Sequence, residues 1–244
     1  MKKKLILTVL LIAVAALFFH YTLFQPVKSP LKIETKHGAS GLSDYFIIYK
    51  KSAKIEFENT RPSKEDTGVL LCIPAAFTRL NDYAIDGLYI TKGKVINGNS
   101  INHSLGGGIK IEDGRCTIFS TGYGKLLTDS LTNAISAKKG YFFQQIRMID
   151  NEGPAHFKDS VLTYRRGIAI FKNGDIAIIE SSAPVMLSTF ANDIYKMDAK
   201  SLIYTDMGSW DEGWYRNPSD GGVVIIGKSR SETKLQSNWV IFRK

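Results

Sequence analysis

The chain has 244 residues, of which 44% are hydrophobic and 23% are charged, so its composition is that of a globular protein rather than a disordered or fibrous one. Its net charge is +9, from 32 Lys and Arg against 23 Asp and Glu. Four of the lysines lie in residues 1–30, which contain no acidic residue, and the remainder carries 28 basic and 23 acidic residues, or +5. No block of Lys and Arg follows residue 30, which argues against a dedicated nucleic-acid-binding protein.

The first 24 residues predict a membrane-targeting segment. Three lysines at positions 2–4 precede an apolar run over 5–19, which is extended by further apolar residues to position 24. Positive residues before an apolar stretch of nearly membrane-spanning length are typical of a signal anchor whose N-terminus stays in the cytoplasm. The small-x-small sequence at 13–15 leaves a cleaved signal peptide as the alternative. The rest of the chain is therefore expected outside the cytoplasm, in the periplasm if the source is a Gram-negative bacterium, and tethered to the membrane through the N-terminal helix.

Residues 25–36 are predicted to be a tether between the anchor and a single domain at 37–244. Pro26 and Pro30 stand among mixed polar residues in this segment, a composition typical of a linker.

Strand patterns dominate the domain. Short β-branched, aromatic or alternating runs predict strands at 45–49, 54–58 and 69–73. Three further segments place apolar runs on both sides of a Lys-Gly-Lys, Asp-Gly or Asn-Gly turn and predict β-hairpins at 88–96, 109–119 and 167–179.

Two helices are predicted, and with the strands they indicate an α+β fold: one β-rich domain of hairpins with a few packed helices. Helical spacing of apolar residues marks 125–138, with Thr128 or Asp129 near its start, and 188–200, with Ser188 or Thr189 as its cap. A strand at 202–204 follows and leads to Asp206 at its C-terminal end. A Gly-, Trp- and acid-rich loop at 207–216 precedes another strand that starts at Gly221.

Cys72 and Cys116 leave two alternatives open. In an oxidising compartment they would pair as a disulfide that closes a long loop, and otherwise they are two buried free thiols. Their spacing does not match a metal site, and neither is next to a His, so no metal or other cofactor is expected.

The order of these elements resembles the phosphodiester glycosidase family. The family has an Arg just before a glycine-turn hairpin, and here the sequence RRGIA, starting at Arg165, precedes the Lys-Asn-Gly turn at 172–174. The family then has a helix and a strand that ends in Asp-Gly-Gly-Gly-Ser-Ser. Here the corresponding strand ends in DMGSWDE at 206–212, which keeps the Asp and one Gly. The resemblance covers about residues 69–244.

Two loops depart from the family pattern. The family's Asn-Gly-Gly-Phe-Phe loop appears here as PAAFT at 74–78, without the asparagine, and the triple glycine after Asp206 is interrupted by Met207 and Trp210. Consecutive glycines allow backbone N–H groups to approach a ligand closely, so these changes alter a ligand-facing surface.

The resemblance implies the cleavage of a sugar-1-phosphodiester, with a cation on the phosphate and carboxylates at the anomeric carbon. Arg165 is matched to the family arginine, and Arg166 beside it is a second candidate for phosphate, although a surface arginine pair is the alternative. Asp206, with Asp211 or Glu212, is expected to perform acid–base work. The alternatives are that Asp206 caps a turn and that the other two form a solvated acidic loop.

Sugar-binding candidates lie in two polar loops. Trp210 and Trp214 in the 207–216 loop are expected to stack on a sugar ring, with Ser209 beside them, although aromatic residues are more often part of a core. Asn102 and His103, in a second glycine-rich loop, are candidates for holding a substrate hydroxyl, and His103 also for protonating a leaving phosphate.

The sequence thus predicts a membrane-tethered extracytoplasmic hydrolase that acts on a sugar-1-phosphodiester in an envelope glycan or related substrate. Its expected partners are a carbohydrate or sugar-phosphate substrate and the membrane. The altered loops support the alternative of a non-catalytic relative that binds, or helps assemble, an anionic envelope polysaccharide.

Overall fold

The computed structural model describes residues 29–98, 100–228 and 231–244. These residues form a β-rich domain with two helices, α1 (Asp129–Ala137) and α2 (Leu187–Lys196), and a 3-10 helix at Thr233–Leu235. In chain order the strands are β1 (Leu31–His37), β2 (Asp44–Lys50), β3 (Lys54–Glu58), β4 (Val69–Pro74), β5 (Tyr89–Thr91), β6 (Lys94–Val95), β7 (Gly107–Glu112), β8 (Arg115–Ser120), β9 (Tyr141–Gln145), β10 (Arg147–Asp150), β11 (Gly153–Pro154), β12 (Arg166–Phe171), β13 (Ile176–Ser181), β14 (Ala199–Tyr204), β15 (Gly213–Arg216), β16 (Val223–Ile226) and β17 (Trp239–Arg243).

The strands form three antiparallel sheets. The largest has the order β1-β2-β13-β12-β14-β10-β11, the second β16-β15-β4-β17-β3, and the third β6-β5-β9-β7-β8. Several neighbours in these sheets are distant in the sequence, so long-range pairing builds the domain. This architecture is compatible with the predicted α+β class.

The sheets share one apolar core. Ile48 and Ile168 of the first sheet, Leu71 and Val240 of the second, and Phe143 of the third all belong to it, and all are essentially excluded from solvent. A second cluster lies on the opposite face of the first sheet, where α2 packs Phe190 against Tyr45 with 5.8 Å between ring centroids. The central strands of this sheet are thus covered on both faces, which explains their nearly continuous apolar sequences.

The short-range predictions are confirmed where a turn or a cap defines them. The hairpins β5–β6, β7–β8 and β12–β13 form around the Lys-Gly, Asp-Gly and Asn-Gly turns. The first predicted helix also forms, as α1, and the Leu131 N–H donates to Thr128 Oγ1 at 3.4 Å, so Thr128 is its N-cap.

The cap of α2 differs from the prediction. The helix begins at Leu187, earlier than the predicted Ser188 or Thr189 cap, and its N-cap residue Met186 contributes no side-chain hydrogen bond. Asp159, distant in the sequence, instead lies at this helix start, where its Oδ2 accepts from the Leu187 N–H at 3.5 Å. A carboxylate at a helix N-terminus is favourable because the free N–H groups there carry partial positive charge.

The predicted tether is wrong over residues 31–36, which belong to β1. Leu31–His37 pairs along its length with β2, and Leu31 and Ile33, on one face of the strand, pack against the shared core. The predicted anchor or signal peptide at 1–24 lies outside the described residues. Within the described residues, no helix is long and apolar enough to cross a membrane.

The predicted loop at 207–216 is also partly wrong. Its second half forms β15, which pairs with β4 and β16. Strands β9, β10 and β17 were not predicted either. The partners of β9 and β17 lie far away in the sequence, so no local turn signals these two strands.

Candidate functional site

Three segments meet where β14 ends and form what we call the loop cluster: residues 75–79, 156–165 and 205–212. Each packs a partly buried apolar side chain, Phe77, Phe157 or Met207, against the apolar cluster beneath α2. The Asp206 N–H donates to the Ala75 carbonyl at 2.9 Å, which joins two of these segments directly. The predicted strand end is therefore a meeting point of loops, the usual place for functional side chains.

Asp206 is buried in this cluster, with 4% of its surface exposed. Its Oδ2 accepts a hydrogen bond from the Thr78 N–H at 3.0 Å and another from the Trp210 indole Nε1 at 2.7 Å. Burial raises the pKa of Asp206 to about 6, and the N–H groups of Trp210, Thr78 and Gly208 limit that rise because they stabilise the charged form. A carboxyl group with this pKa changes its protonation state near neutral pH, as a general acid or base requires.

Trp210 closes over Asp206 rather than forming an open platform. Its side chain is buried, and the ring of Tyr83 meets it edge-on with 6.5 Å between centroids. Trp214 lies in β15 and is fully buried, so it offers no face to a sugar. Tyr83, which was not predicted, is the exposed aromatic residue beside Trp210, and it adopts a positive φ of 56°.

Arg165 reaches the loop cluster but is held by protein groups. Its Nε donates to the Val185 carbonyl at 3.0 Å, and its Nη2 donates to Asp159 Oδ2 at 2.9 Å and to the Val161 carbonyl at 2.6 Å. The guanidinium carbon lies 6.0 Å from the ring centre of Tyr204, two residues before Asp206. Arg165 therefore lies beside Tyr204, the last residue of β14.

Arg166 is buried inside the protein, where its guanidinium bonds to Glu180 and to the Asp211 carbonyl. Its Nε donates to Glu180 Oε2 at 2.7 Å, and its Nη1 donates to the Asp211 carbonyl at 2.9 Å. Arg166 and Glu180 are directly opposite each other on β12 and β13. Arg166 is fully buried, so its contacts are those of a structural ion pair rather than of a phosphate-binding group.

The two acidic candidates after Trp210 have partners of their own. Asp211 is buried, and its Oδ2 accepts from the Lys228 N–H at 3.0 Å. Glu212 forms ion pairs with Arg61 and, at 3.2 Å, with Lys64. Burial acts to raise the pKa of Glu212, but these two ion pairs outweigh it and lower the pKa below its usual range. Of Asp206 and Glu212, it is therefore Asp206 whose pKa is shifted toward neutrality.

The second predicted loop is joined to the loop cluster indirectly. Asn102 Nδ2 donates to Asp86 Oδ2 at 2.8 Å, and the Asp86 N–H donates to the Phe77 carbonyl at 2.7 Å. His103 is exposed, and its Nδ1 lies 3.0 Å from the Tyr123 carbonyl oxygen. Ser209 is also exposed, and its carbonyl accepts from the Glu232 N–H at 3.2 Å.

The cysteines do not pair. Cys72 in β4 and Cys116 in β8 are both free thiols and belong to different sheets. Burial raises the pKa of the Cys72 thiol to about 12, which makes it unreactive. Of the two alternatives, the structure has the free thiols. In the part of the chain that the structure describes, no group of three or more His, Cys, Asp or Glu side chains is arranged to hold a metal ion.

Sequence reasoning missed the residues that complete the cluster. Asp159 binds Arg165 from a segment without any recognisable motif, and Thr78 contributes a backbone N–H, which leaves no mark on the sequence. The sequence does contain a signal for Glu180. It faces Arg166 across the predicted Asn-Gly hairpin, and opposite charges at facing positions attract.

Comparisons with known proteins find likeness at the level of structure. No family model and no curated protein sequence matches the chain. The catalytic domain of zebrafish N-acetylglucosamine-1-phosphodiester alpha-N-acetylglucosaminidase, in a form auto-inhibited by its pro-peptide, is similar with a TM-score of 0.60 at 13% identity, over 91% of this chain and 85% of that one. A hypothetical protein from Synechocystis is similar with a TM-score of 0.52 at 12% identity, over 88% of this chain and 62% of that one. The chain thus has a structural relationship in its fold to a phosphodiester glycosidase catalytic domain.

Proposed function

We propose that this chain is an extracytoplasmic hydrolase that cleaves sugar-1-phosphodiesters, the linkage between an anomeric carbon and a phosphate oxygen, in an envelope glycan or a related substrate. The observation that carries the proposal is Asp206, a buried carboxyl group with a pKa raised to about 6, at the end of β14. Support comes from the fold shared with the zebrafish domain, whose name states this activity.

Asp206 is proposed as the base that activates water. A phosphate monoester is a stable leaving group, so the demanding proton transfer is the one from the attacking water. The water oxygen bonds to the anomeric carbon, the bond from that carbon to the phosphate oxygen breaks, and its electron pair stays on the phosphate. The proton from water passes to Asp206, which is largely ionised above pH 6.

Arg165 is proposed as the phosphate-binding group. In the structure its guanidinium is occupied by the Asp159 carboxylate, which presents oxygen atoms much as a phosphate group does. A substrate phosphate would take the place of Asp159 and bring its negative charge to the guanidinium. Asp159 also accepts from the Leu187 N–H at the start of α2, so this exchange would break the hydrogen bond between the 156–165 segment and that helix.

The test is release of free sugar from a panel of sugar-1-phosphate esters by the full chain in mild detergent. Asp206→Asn is expected to lower kcat by about 10²–10⁴-fold, the usual contribution of a general base. Arg165→Ala is expected to raise KM, and Asp159→Asn to lower it, because Arg165 loses its competitor. Asp113→Asn, in the exposed turn between β7 and β8, is the matched control and should behave as the wild type.

Either of two results would contradict the proposal. One is the absence of turnover in the folded wild type, and the other is turnover that Asp206→Asn leaves unchanged. Circular dichroism of each variant separates a loss of activity from a loss of fold.

A non-catalytic carbohydrate-binding protein is the second candidate, and the closure of Trp210 over Asp206 favours it. The indole N–H to Asp206 bond at 2.7 Å and the burial of both side chains leave Asp206 no open approach in this conformation. Binding of the same esters, measured by calorimetry without any release of sugar, would establish this candidate in place of the hydrolase.

The location outside the cytoplasm and the membrane anchor at 1–24 are part of the proposal, supported by the basic and apolar pattern of that segment. Protease treatment of intact and lysed spheroplasts tests both. A domain that is cleaved only after lysis would contradict them.

A further inference from the structure

The edge strand β16 differs from every other edge strand in the described part of the chain. Its sequence is Val-Val-Ile-Ile, without a charged or polar side chain. The edge strands β1, β3, β6 and β8 carry Lys, Arg or Glu, and β11 is two residues long and ends in proline. Charges, short length and proline are the usual features that keep an edge from pairing with another strand. β16 has no charged residue and no proline.

The side chains of β16 are apolar on both faces of its sheet. Val224 and Ile226 pack against the shared core, and Ile225 packs on the other side against the Trp214 cluster. Such a sequence is typical of a strand with neighbours on both sides. Yet Val223 is 36% exposed and the other three residues are only partly buried, whereas every residue of the central strand β4 is buried. The composition of β16 is that of an interior strand in an edge position.

An open cleft lies along the same strand. It has a volume of about 280 Å³. Its apolar part includes Val224 and Ile226 of β16 together with Phe46 and Tyr215, whose ring centroids lie 5.5 Å apart, and Glu180 and Ser181 of β13 contribute polar groups. Phe46 is itself only partly buried. A strand added beside β16 would continue the second sheet and cover apolar surface in this region.

The backbone register shows which groups the open edge presents. The Asn217 N–H donates to the Gly222 carbonyl at 2.9 Å, so this facing pair is hydrogen-bonded. Hydrogen-bonded pairs alternate along an antiparallel ladder, and β15 pairs with β16 in continuous register. Val223 and Ile225 therefore turn their N–H and carbonyl groups away from β15, toward the open edge.

We propose that the edge of β16 pairs with β16 of a second copy of this chain, antiparallel about a two-fold axis at Val224. In that register Val223 of each copy faces Ile225 of the other, so the outward N–H and carbonyl groups of both bond to one another. The same register brings the turn before β16, which holds Asp220, next to Lys228 of the other copy at both ends of the paired strands. Within its own turn, Asp220 Oδ1 accepts from the Gly222 N–H at 2.8 Å. Asp220 and Lys228 are both exposed residues, and this complementary charge selects a second copy as the occupant.

The mass of the full chain in density-matched detergent, measured by sedimentation equilibrium, tests the proposal. The wild type is expected to be a dimer. Ile225→Pro removes an outward N–H but no bond to β15, so the variant is expected to be folded and monomeric. Ile118→Pro, on edge strand β8, is the matched control. Arg115 closes the two-residue turn as a hydrogen-bonded pair with Glu112, and bonded pairs alternate along the strand, so Ile118 turns its N–H outward, as Ile225 does. This control should leave the dimer intact.

A charge exchange tests the register. Lys228→Asp alone places two acidic residues together at each end and should weaken the dimer at least 10-fold, and adding Asp220→Lys should restore it. A monomeric wild type would overturn the proposal, as would a dimer that Ile225→Pro and Lys228→Asp leave unchanged. Protection of the Val223 and Ile225 amides from hydrogen exchange in a monomer would also overturn it, because another segment of the chain would then cover the edge.

Discussion

Arg165 and Arg166 are neighbours in the chain, yet they lie in two regions of different character. Arg166 belongs to a sealed network with Glu180 and the Asp211 carbonyl, and it is fully buried. Arg165 belongs to the loop cluster, where its partner Asp159 sits on a loop and keeps about a fifth of its side chain exposed. Alternation along a strand sends adjacent side chains to opposite faces. Arg166 therefore pairs with a buried carboxylate, whereas Arg165, itself only 7% exposed, pairs with a carboxylate that water reaches.

Removing each arginine in turn should give the largest difference between the two regions. Arg166→Ala leaves Glu180 buried without its partner, and we expect it to lower the free energy of unfolding by about 3–5 kcal/mol. Arg165→Ala should cost about 1–3 kcal/mol, because water can reach Asp159 once the guanidinium is gone. Urea denaturation of both variants measures the difference, and equal losses would contradict the distinction between a sealed and an exchangeable arginine.

Asp206→Asn should change how stability depends on pH. The pKa of Asp206 is about 6 in the folded protein against 3.8 ordinarily, so the folded state binds the proton more tightly than the unfolded state. This contribution to stability is full below pH 4 and is lost as the pH rises through 6, with a size on the order of 3 kcal/mol. As the pH rises from 4 to 7, the unfolding free energy of the wild type should therefore fall relative to that of Asp206→Asn. Parallel profiles for the two proteins would be the contrary result, and Asp113→Asn should follow the wild type.

Trp210→Phe should have a smaller effect, confined to the loop cluster. It removes the indole N–H donated to Asp206, at a cost of about 1–2 kcal/mol, and should move the pKa of Asp206 above 6. Trp214→Phe is the matched control, since the indole N–H of Trp214 is buried without an acceptor among the described residues. The pH dependence of unfolding should shift in the first variant and not in the second. A shift in both would show that loss of volume, rather than loss of the donor, is responsible.

Local patterns in the sequence predicted much of the fold. The Lys-Gly, Asp-Gly and Asn-Gly turns located three hairpins because they supply the positive φ angles that tight turns need. The Thr128 cap located the start of α1 in the same way. The strand before Asp206 and the place of Asp206 at its end were also predicted correctly, since an apolar run followed by polar residues marks both.

Long-range contacts could not be predicted in this way. The predicted tether included residues 31–36 of β1 because Pro26 and Pro30 are typical of a linker and the strand is entirely polar after Ile33, so it lacks a strand pattern. The cap of α2 is a carboxylate from Asp159, nearly thirty residues earlier, so residues within the helix gave a false start point. Trp214 was expected beside a substrate because it follows Trp210 closely, yet β15 carries it into the core.

The sequence by itself determined the β-rich α+β class, the hairpins and the position of Asp206 at a strand end, because turns, caps and alternation act over a few neighbouring residues. The tertiary structure alone decided which arginine is sealed, which carboxyl has its pKa raised, and which strand is left at an edge without charge. Each of those properties depends on burial and on partners from distant segments, and these exist only after the three sheets have packed around their shared core.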